Sequence, residues 1–436
     1  MKKQIITVAG GGSTYTPGII QAVLHGQNRL PVSEIRLYDI DATRNENMYL
    51  IIQYMLEQQG FSNIQVKQTA NPEEAFTNAD FIFSQIRVGG LTMREKDEKI
   101  PLKYGLVGQE TCGLGGFAYG LRSIGPLLEL VGFVQKYAPE AWILNYTNPE
   151  TIISEAVRRQ YPGIRMINVC DMTIGIEDTL AKNYGYDRDN WIATYYGLNH
   201  FGWYTKIYDK SLKRDIMPEL LEKLQTQEIK EEDPSWNRAF NMIRFMVQQF
   251  PDNIPNNYLE YYFYPDMYVN YADPNYTRAN TIMDGRERKT HEMAEKIRNK
   301  VEGDILDFYF GVHGVYIVDI AAALLNDEKK RFMLIVENKG AIPNLRADAV
   351  VEVPAYVGAT GVEAIRLSAI GDFHKGLMEA QVAAEKLLVD AYFENSYQKA
   401  LQAFTLNQTV PNATVAKQVL DEMIKANEAY WPELNK

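Results

Sequence analysis

The sequence is poor in the residues that make covalent cross-links and metal sites. It has two cysteines and five histidines among its 436 residues. Two cysteines far apart in the chain cannot form the disulfide framework of a small secreted domain. We therefore expect a reducing, cytoplasmic location, in which a thiol can remain free to bind metal.

Long hydrophobic runs and an excess of positive charge are also missing. No apolar run approaches the roughly 18 residues that a membrane helix needs. The short apolar segment at the N-terminus runs into a glycine cluster and is typical of a strand, not of a signal peptide. The net charge of −11 argues against nucleic acid and anionic membranes as partners. An anionic substrate would need a local basic pocket.

The pattern of the chain changes after Trp203. The length indicates about two or three domains. Strand-like apolar runs at residues 3–9, 34–38, 63–68, 80–86, 142–145, 167–170 and 194–198 alternate with helical patterns, whereas helical segments dominate later, including 277–303 and 375–403. We predict an α/β protein with a Rossmann-type doubly wound sheet in residues 1–200. A mainly helical α+β domain for catalysis and oligomerisation is predicted in residues 201–436.

The first strand leads into Gly10-Gly11-Gly12-Ser13 and then a helical pattern. This order is typical of a dinucleotide site, where a helix N-terminus faces a pyrophosphate. The G-x-G-x-x-G pattern is incomplete because Tyr15 occupies the third glycine position. Asp39 ends the second strand and is a candidate for the acid that binds the ribose of NAD. Its alternative role is that of a solvated turn residue.

Two further polar positions follow apolar runs. Cys170 and Asp171 end one run, and His200 follows another. A thiolate and a neutral imidazole are a partial ligand set for a divalent cation, with positions left open for substrate. The alternatives are that Cys170 is a small core residue and that Asp171 caps the following helix.

Residues 87–120 are polar and rich in glycine, which predicts a substrate loop. Arg94 within this region is a candidate anion contact, although a single arginine in a charged run is more often part of a solvated face.

Several motifs, taken in order, resemble glycoside hydrolase family 4, and the resemblance covers essentially the whole chain. It is closest to the 6-phospho-α-glucosidases of that family. The motifs are Gly10-Gly11-Gly12-Ser13, Gly108-Gln109-Glu110-Thr111, Asn145-Tyr146-Thr147-Asn148-Pro149, Cys170-Asp171-Met172, Gly197-Leu198-Asn199-His200 and Pro255-Asn256-Asn257-Tyr258-Leu259. The NAD-dependent members of this family are exceptions to glycoside hydrolysis by two carboxylates.

The resemblance implies a role for each matching residue. Cys170 and His200 match the protein ligands of Mn²⁺, Asp171 the acid that protonates the leaving oxygen, and Tyr258 the base at C2 of the sugar. The implied substrate contacts are Arg94 and Arg278 with the 6-phosphate, Asn148 with a hydroxyl, and Glu110 close to the metal and the sugar.

The implied reaction hydrolyses a phosphorylated disaccharide such as maltose 6′-phosphate without net redox change. NAD⁺ takes the C3 hydride, the C2 proton is removed, the aglycone leaves, and water and the hydride are added back. Mn²⁺ polarises the C3 oxygen. The carboxylate at Asp171, where the β-specific branch usually has asparagine, favours the α-anomer.

Two other functions remain open at this point. An NAD-dependent 2-hydroxyacid dehydrogenase would share the cofactor domain but would need a histidine as acid-base with an aspartate partner, an arginine for the substrate carboxylate, and no metal. An NAD-binding sensor would leave Cys170 and His200 as core residues. Hydrophobic helices after Trp203 predict a homodimer or homotetramer.

Overall fold

A computed structural model describes residues 2–435 of the chain. Residues up to Tyr184 form alternating strands and helices because short β-branched runs are separated by capped helical segments. The elements are β1 Gln4–Ala9, α1 Thr16–His25, β2 Val32–Tyr38, α2 Ala42–Gln58, β3 Gln65–Thr69, α3 Pro72–Phe76, β4 Phe81–Ser84, α4 Gly90–Lys103, α5 Gly113–Tyr137, β5 Trp142–Asn145, α6 Glu150–Gln160, β6 Met166–Asn168 and α7 Met172–Tyr184.

The second half adds an antiparallel extension and further helices. Its elements are β7 Trp191–Leu198, β8 Phe201–Asp209, β9 Arg214–Asp215, α8 Met217–Thr226, α9 Pro234–Gln249, β10 Ile254–Pro255, α10 Glu260–Phe263, α11 Pro265–Tyr271, α12 Arg278–Ile282, α13 Arg288–Arg298, α14 Val312–Asn326, β11 Lys330–Glu337, β12 Val350–Gly358, β13 Gly361–Ala364, α15 Asp372–Glu394, α16 Tyr397–Leu406 and α17 Ala413–Ala426. A π-helical turn, Met283–Glu287, joins α12 to α13.

One 13-stranded sheet runs through the protein. Its parallel part has the order β3-β2-β1-β4-β5-β6, which is the dinucleotide-binding order. Strands β11, β12, β7, β8 and β10 continue the sheet in antiparallel pairs. The predicted fold class is confirmed, but the strand at 194–198 does not belong to the parallel part, because its neighbours β12 and β8 are antiparallel to it.

Helices from both halves of the chain cover the parallel strands. One core combines α1 and α2 with α13 and α14 from the second half. The other combines α5 and α6 with α15, α16 and α17. A parallel sheet is buried on both faces, so the second half completes each layer and anchors the site to the nucleotide-binding half.

The prediction of a substrate loop at residues 87–120 is wrong, because most of this region forms α4 and the start of α5. Two glycines in the first turn of α5 allow close backbone packing. A Cβ at Gly115 would lie 2.4 Å from the Asp97 carbonyl oxygen, and one at Gly116 would lie 2.4 Å from the Thr111 carbonyl carbon. Arg94 is buried in α4, so its reading as a solvated residue is wrong as well.

Two long helices predicted in the second half are interrupted. The region 277–303 contains α12, the π-helical turn and α13, while 375–403 is divided between α15 and α16. Asn395 between the last two helices has a left-handed φ of 52°, which ends α15.

Helix α5 is long and apolar enough to cross a membrane by length and composition. In the fold, 72% of its most apolar window is buried. Its apolar surface is thus covered by α3, α4, α6 and α15 of the same chain.

Candidate active site

The candidate site lies at the carboxyl ends of the parallel strands. The glycine turn follows β1, the Asn148 segment follows β5, and Cys170 follows β6. Open α/β sheets bind ligands at this edge, close to the point where the strand order reverses.

The glycine turn has little space for side chains. Gly10 has a φ of 83°, and a Cβ on it would lie 2.8 Å from the carbonyl oxygen of Gln85. The Gly12 N–H donates to Asp39 Oδ2 at 2.9 Å, and Ser13 N–H closes the turn onto the Gly10 carbonyl at 3.0 Å. The glycine turn and the Asp39 carboxylate therefore lie side by side at the N-terminal end of α1.

Tyr15 explains the missing third glycine. Its φ of −86° is an ordinary helical value, so glycine is not required there. The ring lies 4.7 Å from the His313 ring, and the Arg286 guanidinium lies 4.0 Å from its centroid. The departure from G-x-G-x-x-G thus places an aromatic ring between the glycine turn and the rest of the site.

Cys170 and His200 meet, as the sequence predicted. Cys170 Sγ lies 3.4 Å from His200 Nε2. His200 occupies the turn between β7 and β8 with a left-handed φ of 62°, which is uncommon for histidine and directs the imidazole toward Cys170. Asn199 precedes it in the same turn.

The chemistry of this pair fits a divalent cation. Burial lowers the pKa of His200 to about 4, so the imidazole is neutral and can coordinate through a lone pair. Burial also raises the pKa of the Cys170 thiol, with the charges of Glu352 and Asp171 adding to the effect. Among residues 2–435 no group of three or more His, Cys, Asp or Glu side chains could hold a metal. A metal here would have two protein ligands and positions free for substrate.

Tyr258 packs directly on this pair. It follows β10, whose pairing with β8 brings it to the His200 turn, and Asn256 Oδ1 accepts its N–H at 3.0 Å. The Tyr258 and His200 rings lie 4.3 Å apart. Burial raises the pKa of Tyr258 well above its usual value, and the nearby Cys112 and Glu110 contribute in the same direction.

Asp171 begins helix α7 but does not cap it with its side chain. Its Oδ2 instead contacts His313 Nδ1 at 3.0 Å. Burial raises the pKa of the Asp171 carboxyl, whereas the hydrogen bond and charge of His313 lower it, and the net shift is downward. The alternative reading of Asp171 as a helix cap is therefore wrong.

Arg94 and Glu110 form an ion-pair network together with Glu98 and Arg87. Arg94 Nη1 lies 3.0 Å from Glu110 Oε1, and its Nε donates to Glu98 at 2.7 Å. Arg87 approaches the other Glu110 oxygen at 2.5 Å. Burial raises the pKa of Glu110, but the two arginines outweigh it and hold the carboxylate ionised.

Arg278 and Asn148 make their own contacts with residues other than Cys170 and His200. Arg278 begins α12, where the next residue, Ala279, donates its N–H to Glu98, the partner of Arg94, at 2.9 Å. The Arg278 side chain is 40% exposed and lies 3.7 Å from Asp233. Asn148 donates to the Tyr146 carbonyl at 3.3 Å, while its buried Oδ1 has no partner within the described residues.

Comparison with known proteins identifies the family. The profile described as Family 4 glycosyl hydrolase matches residues 5–186, and that of its C-terminal domain matches residues 195–410. The chain belongs to glycoside hydrolase family 4. The resemblance found in the sequence motifs is confirmed, and the dehydrogenase and sensor alternatives lose their support.

Relatives within family 4 match over their full length. A 6-phospho-alpha-glucosidase of Leptotrichia buccalis is 47% identical, and a maltose-6'-phosphate glucosidase of Clostridium acetobutylicum is 44% identical, each with 100% of both chains covered. A crystal structure of a 6-phospho-alpha-glucosidase from gut microorganisms in complex with NAD and Mn²⁺ has a TM-score of 0.96 at 39% identity. A second, in complex with NAD and glucose-6-phosphate, has a TM-score of 0.96 at 43% identity. Both cover 100% of each chain.

Two side chains of this family 4 site, those of Arg87 and His313, were not predicted from the sequence. Arg87 neutralises Glu110, and His313 contacts Asp171 from a position 142 residues away. The scarcity of histidine was the one available signal for His313, since nothing in its neighbourhood in the sequence indicates a partner.

Proposed function

We propose that this protein is an NAD- and Mn²⁺-dependent 6-phospho-α-glucosidase. It hydrolyses substrates such as maltose 6′-phosphate to glucose 6-phosphate and the aglycone sugar. The observation that carries the proposal is the contact of Cys170 with His200 beneath the Tyr258 ring, at the sheet edge that also holds the glycine turn. Identity to phospho-α-glucosidases over whole chains supports the same substrate class.

The chain has residues suited to both cofactors. Gly10-Gly11-Gly12-Ser13 and Asp39 would hold NAD, while Cys170 and His200 would hold Mn²⁺. When bound, these groups supply a hydride acceptor for C3 of the sugar and a Lewis acid for its oxygen.

Side chains of the protein carry the proton transfers. Tyr258 removes the proton from C2, and Asp171 gives a proton to the glycosidic oxygen as the C1–O bond breaks. Water then adds across C1 and C2. Asn148 has an unpartnered carbonyl oxygen that accepts from a sugar hydroxyl, and Glu110 borders the site beside Arg94.

Arg94 and Arg278 bind the sugar 6-phosphate. The protein carries a net charge of −11, so a dianionic group requires charge-assisted contacts. Glu98 links the two residues, because it accepts from the side chain of Arg94 and from the backbone of Ala279 beside Arg278.

Replacing Arg278 with glutamine is expected to weaken phosphate recognition without harming the fold, since its side chain is 40% exposed. Loss of a charge-assisted contact costs about 2 kcal/mol in a partly exposed setting, which is roughly a 30-fold loss in kcat/KM, mainly through KM. The measurement is steady-state kinetics with maltose 6′-phosphate.

Arg288→Gln is the matched control, because Arg288 is 64% exposed and its side chain pairs with Glu292 on α13. Unphosphorylated maltose should be a very poor substrate for every variant. Equal kcat/KM for maltose and its 6′-phosphate in the unaltered protein would contradict the phosphate assignment.

The activity itself is tested with p-nitrophenyl α-glucoside 6-phosphate. We expect release of nitrophenol only with both NAD⁺ and Mn²⁺ present, and no accumulation of NADH, because the hydride is returned to the sugar. The β-anomer serves as the specificity control. Stoichiometric NADH formation would instead indicate a dehydrogenase.

We also propose a cytoplasmic homodimer or homotetramer, built from a nucleotide-binding domain at 1–200 and a second domain at 201–436. The boundary between the two matched family profiles, after residue 186 and before 195, supports the division.

A further inference from the structure

His313 contacts the carboxyl of Asp171. Its Nδ1 lies 3.0 Å from Asp171 Oδ2, and its side chain is 13% exposed. The ring lies 4.0 Å from the Tyr146 ring and 4.7 Å from the Tyr15 ring. These two aromatic rings and the hydrogen bond at Nδ1 leave the imidazole little freedom to rotate.

The backbone at His313 is anchored as well. Tyr146 donates its hydroxyl to the His313 carbonyl at 3.1 Å. The next residue, Gly314, packs on α1 so closely that a Cβ would lie 2.5 Å from the Gly18 carbonyl oxygen. The first turn of α14 is thereby held against the helix that follows the glycine turn.

The hydrogen-bond pattern identifies which ring nitrogen carries hydrogen. His313 Nε2 is buried and has no partner among the described residues. A buried N–H donor without a partner is costly. The N–H is therefore at Nδ1, where Asp171 Oδ2 accepts it.

Asp171 needs such a partner because of its place in the fold. It directly precedes the first turn of α7, whose free backbone N–H groups attract a carboxylate, although its side chain makes no capping hydrogen bond. A carboxyl turned back onto the helix would lose its contact with His313. The bond to His313 opposes that rotation.

We propose that His313 is a positioning residue for α-glycoside cleavage, which holds Asp171 by Oδ2 so that Oδ1 delivers the proton to the leaving oxygen. The proton passes from Asp171 Oδ1 to the glycosidic oxygen as the C1–O bond breaks, and the water that then adds at C1 gives a proton back to Asp171. His313 keeps its own proton throughout. The inference rests on the proposed function of Asp171 as the acid.

The test compares substrates that differ in their need for that proton. In His313→Leu, we expect kcat with maltose 6′-phosphate to fall about 100-fold or more, as for loss of general acid catalysis. With p-nitrophenyl α-glucoside 6-phosphate, whose leaving group needs little protonation, the loss should stay below about 5-fold. His313→Asn, whose amide nitrogen replaces Nδ1, should recover much of the activity on maltose 6′-phosphate.

His291→Leu is the matched control, since this histidine is exposed on α13. Thermal melting and NAD⁺ titration establish that each variant is folded. Deuterium uptake at C2 should be unchanged in His313→Leu, because removal of the C2 proton does not involve Asp171.

Asp171→Asn, run in parallel, separates the two levels of the proposal. If Asp171→Asn discriminates between the leaving groups and folded His313→Leu does not, the inference about His313 is overturned and the acid role of Asp171 stands. If Asp171→Asn shows no discrimination, the acid role is overturned and the inference about His313 falls with it.

Discussion

Replacing Tyr258 with phenylalanine is expected to abolish both turnover and exchange of the C2 hydrogen with solvent. The change keeps the ring that packs 4.3 Å from His200 and removes only the hydroxyl that acts as base. General base catalysis contributes about 10²- to 10⁴-fold, and here the elimination cannot begin without it. Turnover in D₂O should place deuterium at C2 of the glucose 6-phosphate released by the unaltered protein, and none should be found with Tyr258→Phe.

Tyr261→Phe provides the control for this experiment. Tyr261 stacks on Tyr258 with ring centroids 5.6 Å apart, so the substitution tests loss of a neighbouring hydroxyl in the same aromatic cluster. It should leave exchange and turnover near normal. Deuterium at C3 of the substrate should slow turnover by the unaltered protein if hydride transfer is partly rate-limiting. C2 exchange that persists in Tyr258→Phe would show that another group is the base.

Loss of either Cys170 or His200 is expected to remove Mn²⁺ binding and all Mn²⁺-dependent activity. Within residues 2–435 no third His, Cys, Asp or Glu side chain joins this pair as a metal-binding group, so no protein ligand is spare. Altering groups that merely support a ligand lowers metal affinity about 10- to 100-fold, and losing a ligand should cost at least the upper value. Cys170→Ser removes the thiolate donor. His200→Asn removes the imidazole, and asparagine tolerates the φ of 62° found at this position in the β7–β8 turn.

Mn²⁺ binding is measured directly by electron paramagnetic resonance, independently of turnover. Cys112→Ser is the matched control, because Cys112 is the other buried thiol and packs with Val107 and Tyr261. NAD⁺ titrations should be nearly unchanged in all variants, since the glycine turn is formed separately. Wild-type turnover at saturating Mn²⁺ in Cys170→Ser or His200→Asn would mean that the metal site lies elsewhere.

Two predictions made from the sequence were wrong, one about the direction of a strand and one about a loop. The strand at 194–198 was correctly located, but an apolar run carries no information about its direction, and only pairing with β8 and β12 makes it antiparallel. Residues 87–120 were misjudged because glycine is usually a helix breaker. Here Gly115 and Gly116 are needed for close backbone approach, and the stability of α4 and α5 comes from that packing.

The sequence by itself determined the nucleotide-binding order of elements, the glycine turn and the ends of the strands, because strand period and glycine chemistry are local properties. It also indicated Cys170 and His200, since each follows an apolar run and a thiolate with an imidazole is a partial ligand set for a divalent cation. Only the tertiary structure decided what each of these groups contacts. Asp171 finds His313 across 142 residues, and Arg94 becomes buried between Glu98 and Glu110. Such pairings depend on how separate segments pack, and no local pattern in either segment encodes its partner.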